Sequence, residues 1–72
     1  MKTFVTFGQI HTHSINGKTL NKDCVAVIES NSEAEGRAKA FEFFGDKFFT
    51  AQYKDTFNPK DMKYFPRGLI EL

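Results

Sequence analysis

The chain has 72 residues, and its ten Lys and Arg against nine Asp and Glu leave a net charge of +1, too even for long-range attraction to nucleic acid or a membrane and no basis for an acidic DNA mimic. Nine Phe and two Tyr exceed what a core this small can hide, since each Phe offers roughly 150–250 Å² to bury, so some rings are expected at the surface or at an interface. A single Cys excludes an internal disulfide, no run approaches the roughly 20 apolar residues of a membrane span, and Met1 to Phe7 does not read as a signal peptide, so a cytosolic chain is expected.

Thr3 to Gln9 carries Phe4, Val5 and Phe7 in a Thr-rich frame, which is strand chemistry. Asn16-Gly17 predicts a type I′ hairpin turn, which needs positive φ at both central residues. Cys24 to Ile28 is apolar at consecutive positions, as in a central strand covered on both faces, with Cys24 a core thiol. A two-residue turn pairs Phe7 with Ala26 and Val5 with Ile28, which puts Val5, Phe7, Cys24, Ala26 and Ile28 on one face. The polar stretch from His11 to Asp23 reads as a protruding hairpin tip or an irregular loop.

Asn31 to Gly45 contains the start, interior and stop of one helix. Ser32 caps it, Glu35 reaches back as a capping box, and Gly45 suits a left-handed ending. Ala34, Ala38 and Phe41 recur at i, i+4, i+7 and define the expected buried face, with Phe44 beside it, while Phe43 points away as the best candidate for an exposed ring. Gly36 weakens the helix by about 1 kcal/mol relative to Ala, which either a close backbone contact or tolerance explains. Lys47 to Tyr53 reads as a third strand. Asn58-Pro59 begins one or two helical turns through Tyr64, and Leu69 to Leu72 is a terminal edge strand. The expected fold is α+β: a small antiparallel sheet of three to four strands in the order β-β-α-β-short α-β, with one main helix on one face and the other face open.

His11 and His13, two apart on a strand, project to one side, a spacing that serves a metal or a phosphate. Asp23 and Cys24 are conceivable further ligands, but no Cys pair or third His completes a zinc set, and no Ser-His-Asp arrangement is recognisable. Gly17-Lys18-Thr19 matches the end of a phosphate-binding loop, yet Thr12 stands where its first glycine belongs. No cofactor and no catalysis are therefore expected. Lys47, Lys54, Lys60, Lys63 and Arg67 lie among Phe48, Phe49, Tyr53, Tyr64 and Phe65, a mixture that stacks bases in some folds, although Asp46, Asp55 and Asp61 offset it.

The segments Phe7-Gly8-Gln9-Ile10-His11-Thr12-His13, Asn16-Gly17-Lys18-Thr19, Lys22 to Ile28 and Tyr64-Phe65-Pro66-Arg67-Gly68 resemble those of short proteins encoded in bacteriophages and prophages. That resemblance implies a role in phage–host conflict, in which a chain of this size occupies a surface of a host defence complex, and it assigns no site residue. The expectation is thus a non-enzymatic binding protein whose contact residues are His11, His13, Lys18, Phe43, Tyr53 and Tyr64, with a protein partner or a second copy. A single-stranded nucleic-acid or nucleotide binder using Phe48, Tyr53 and nearby lysines is one alternative; a metal-dependent activity at His11 and His13 is another.

Overall fold

A computed structural model describes residues 1–72. The elements follow in chain order as β1 (Lys2–Thr6), β2 (His13–Ile15), β3 (Lys18–Leu20), β4 (Cys24–Glu29), α1 (Glu33–Phe44), β5 (Thr50–Tyr53), two short 3-10 helices (Lys54–Thr56 and Pro59–Tyr64) and β6 (Gly68–Glu71). β5, β1, β4 and β6 form one sheet in that spatial order, and β2 and β3 form a separate hairpin. No helix is long and apolar enough to cross a membrane.

The α+β class and the single main helix match the sequence. The sheet, however, is mixed rather than wholly antiparallel, because β6 runs parallel to β4 with Cys24 opposite Gly68 and Ala26 opposite Ile70. The reason lies in the chain's route. After β5 at one edge, residues 54–67 cross the sheet to the other edge and enter β6 beside β4. Arg67 N–H donates to Asp23 O at 2.9 Å, which fixes the arrival point.

The type I′ turn is present, with φ of 53° at Asn16 and 76° at Gly17, and it pairs His13 with Leu20. β1 and β4 are offset from that hairpin register: Val5 lies opposite Ala26, and Thr3, not Val5, lies opposite Ile28. Two extra residues in the first arm absorb the difference through a turn at Gly8 to Ile10, where Gly8 has φ of 65°. A slip of two preserves the alternation of faces. Val5, Phe7, Cys24, Ala26 and Ile28 therefore still share one face, packed with Leu20, Ala40 and Phe44 into the main core.

The opposite face is covered, contrary to expectation. The crossing segment lays Phe57 over Phe4, Val25 and Val27, with Met62 and Phe65 beside it, and the Phe4 and Phe57 rings meet edge to face at 5.2 Å. Asn58 starts the second 3-10 helix by accepting from Lys60 N–H at 3.0 Å, and Pro59 fits the first turn, where no donor is required. β4 is accordingly buried on both faces.

α1 begins and ends where its signals lie. Ser32 Oγ accepts from Glu35 N–H at 3.1 Å, Glu35 Oε1 reaches back to Asn31 N–H at 3.4 Å, and Gly45 N–H donates to Phe41 O at 2.7 Å. Its buried side is not the expected one. Gly36, Ala40 and Phe44 face the sheet, while Ala34, Ala38 and Phe41 face water. The cause is the close approach at Gly36: a Cβ there would stand 1.9 Å from Thr3 Oγ1 and 3.0 Å from Ser30 Oγ, so glycine alone lets the helix sit this near β1.

Candidate functional site

Two surfaces combine exposed rings with defined geometry. The first is the outward side of α1. Ala34, Ala38 and Phe41 recur at helical spacing along it, and Phe41 is 56% exposed even though its ring meets Phe48 edge to face at 5.1 Å. Phe43, 40% exposed, emerges on the other side of the buried Phe44, its ring 6.0 Å away. The helix is thus apolar along two stripes, and the fold consumes only one. Phe43 was legible as an exposed ring; Phe41 was not, because its spacing imitates a core position.

The second surface is a cleft of about 460 Å³ on the side of the 3-10 helices. Thr6, Thr50 and Gln52 alternate out of β1 and β5 onto this side, and with Phe57 and Phe65 they make its deeper part. The Thr6 and Thr50 hydroxyls bond to each other. Phe49 and Tyr64 stand at its margins, 72% and 63% exposed. Phe49 is held from below, because its N–H donates to Thr6 O at 2.8 Å and its Cβ lies 3.3 Å from the position a Cβ would take on Gly8. Lys22 and Asp61 supply one charge of each sign, and Lys22 is paired with Asp23 at 3.2 Å. Every apolar residue of the lining is aromatic: Phe49, Phe57, Tyr64 and Phe65.

The six residues expected to form a contact surface are dispersed. His13 Nε2–H donates to Lys47 O at 2.6 Å, and its ring lies 4.8 Å from Phe44 and 5.6 Å from Phe7, so it closes the end of the main core. His11 lies outside β2, half-buried in the connecting loop. No three His, Cys, Asp or Glu side chains converge to hold a metal. Lys18 Nζ donates to Glu71 O at 2.6 Å and so ties the hairpin to β6. That ammonium occupies a carbonyl of an edge strand, one way proteins discourage strand addition.

Tyr53 belongs to the helix side of the sheet, beside Glu33 and Arg37. The nearby Asp55 carboxylate raises its phenol above the usual range, with desolvation, a hydrogen bond to Asp55 and the charge of Glu33 acting in the same direction. Tyr64 alone of the six lines the cleft, and Lys63 Nζ lies over its ring at 5.1 Å. The aromatic residues from 48 to 65 therefore split between two sides: Phe48 packs with the helix core, whereas Phe49, Tyr64 and Phe65 line the cleft.

Sequence reasoning missed Gln52, took Phe41 for a core ring, and named Phe49 only within the aromatic-basic mixture. Alternation along β5 was a usable signal for Gln52; the exposure of Phe49 depends on contacts with β1 far away in sequence. Comparison with protein-family models, curated proteins and solved structures finds no match.

Proposed function

We propose that this chain is a non-enzymatic binding protein that occupies the surface of a partner protein through the outward side of α1. The observation that carries this reading is the stripe Ala34, Ala38, Phe41, which has the periodicity of a buried helix face and yet lies in water. Two alanines one turn apart let another backbone approach closely, and Phe41, steadied by Phe48, offers the large ring that dominates many interfaces. Phe43 extends the apolar area around the helix end. Resemblance to short phage proteins points to a bacterial host protein as the partner, a defence complex being its sharpest form.

The nucleic-acid alternative gains little, because Phe48 and Tyr53 lie on the helix side of the sheet and Phe49 and Tyr64 on the other, so the rings it relies on form no continuous stacking surface. Self-association through the same stripe is the second reading, supported by the same exposed area.

The test compares the full chain with Ala38→Glu and with Lys60→Glu, a control in the second 3-10 helix, as baits in bacterial lysate, alongside light scattering of each. One bacterial protein retained in near-stoichiometric amount by the parent and the control, and lost with Ala38→Glu, supports the proposal. Retention that survives Ala38→Glu overturns it. A dimer that Ala38→Glu dissociates, with no bacterial protein captured, replaces the partner by a second copy.

A further inference from the structure

We infer that the cleft between the Gly8–Ile10 turn and the second 3-10 helix is a binding site for a single nucleobase, read by its faces and edge and not by its phosphate. This does not rest on the α1 surface, from which the cleft is separated by the sheet.

The lining matches the parts of a flat heterocycle. Faces need rings, and the apolar part of the cleft consists of Phe49, Phe57, Tyr64 and Phe65 with no aliphatic residue. Stacking on such rings is indifferent to which base is present. The edge needs adjacent donors and acceptors, and the half-buried Gln52 carboxamide provides one of each with no hydrogen-bond partner inside the chain. Beside it, the Thr6 and Thr50 hydroxyls share one hydrogen bond, which leaves one O–H free to donate into the cleft. The volume of about 460 Å³ accommodates one base with its sugar.

Phe49 adds preorganisation. An exposed Phe on a mobile loop loses freedom when it stacks, but here the backbone is held by the Thr6 carbonyl and the base of the ring lies against Gly8. The charges do not favour a phosphate-driven mode. Lys22, the one cation of the lining, is bound to Asp23, the Lys63 ammonium lies over the Tyr64 ring, and the Asp61 carboxylate stands in the same lining. A base within a single strand and a free nucleoside share the chemistry that is read here.

The test titrates adenosine, guanosine, cytidine and uridine, their 5′-monophosphates and a short mixed-sequence oligonucleotide into the chain, followed by NMR of the Phe49, Tyr64 and Gln52 side chains at two salt concentrations. Saturable shifts are expected at these residues and not at Phe41 or Phe43, half-complete at roughly 1 mM nucleoside or below, with monophosphates no tighter than nucleosides. Salt-insensitive binding by the oligonucleotide, no tighter per base than by the nucleoside, marks free and strand-borne bases as equivalent occupants. Phe49→Ala, at an exposed ring whose loss leaves the far-UV spectrum intact, is expected to weaken binding about tenfold. Gln52→Glu replaces the donor by a second acceptor, so preference shifts toward guanosine, whose edge offers two donors. No saturable shift with any base, shifts confined to the α1 surface, tighter binding that salt abolishes, binding unchanged by Phe49→Ala, or an equal effect of Gln52→Glu on all four nucleosides each overturns the inference.

Discussion

Replacing Gly36 by Ala sets helix propensity directly against packing. In an isolated helix the change is favourable by about 1 kcal/mol. Here the new methyl would lie 1.9 Å from Thr3 Oγ1 and 3.0 Å from both Thr3 Cβ and Ser30 Oγ. Thr3 is buried in a central strand and β-branched, so it has little freedom to yield. Overpacking of this kind costs typically 1–3 kcal/mol and sometimes more, and a contact this short belongs at the upper end. The net expectation is a destabilisation of about 1–2 kcal/mol. For a domain of this size that lowers Tm by roughly 5–15 °C, readable by far-UV circular dichroism on melting. Adding Thr3→Ala removes the nearest atom, so the double variant loses less than the two single losses added together. A Tm that rises with Gly36→Ala would mean that propensity wins, and that α1 does not rest on β1 through this face.

Other outcomes follow from the same geometry. Ser32→Ala removes the acceptor for Glu35 N–H and should cost about 1 kcal/mol in a urea melt. His13→Ala deletes the bond to Lys47 O and the ring against Phe44; a loss of about 1–3 kcal/mol is expected, and an unchanged urea midpoint would show that this histidine is not a closing piece of the core. The raised phenol of Tyr53 means that the folded chain keeps its proton after the unfolded chain has lost it. Its contribution to stability is therefore intact below the ordinary phenol range and is lost as pH rises through it toward the folded value. In a Tyr64→Phe background, Asp55→Asn should bring the phenolate absorbance transition down toward the ordinary value, and no movement would remove Asp55 as the main cause.

Local signals were the legible ones. The caps at Ser32 and Gly45, the turn at Asn16-Gly17 and the Asn58-Pro59 start are decided by residues within a few positions of one another, and each stands where the sequence puts it. The sides of β1 and β4 were legible although their register was not, because the two-residue excess near Gly8 leaves alternation untouched. The helix face misled for a physical reason. Positions 34, 38 and 41 and positions 36, 40 and 44 both recur at three- and four-residue helical intervals, and the second set contains a glycine that counts for nothing as an apolar residue but permits the closest approach. The cover over the second face and the cleft beside it arise from a chain crossing between distant sheet edges, which no local pattern records.

The outward stripe of α1 also carries the functional account, and thiol labelling reports on it directly. In the chain bearing Ala38→Cys, the native Cys24, buried in β4, serves as the internal reference. At low micromolar concentration the thiol at position 38 should react at the rate of a free cysteine while Cys24 resists until the chain unfolds, and saturating bacterial partner should then slow position 38 alone. Protection of position 38 in the isolated monomer would contradict the account, as would a labelling rate that no bound partner changes.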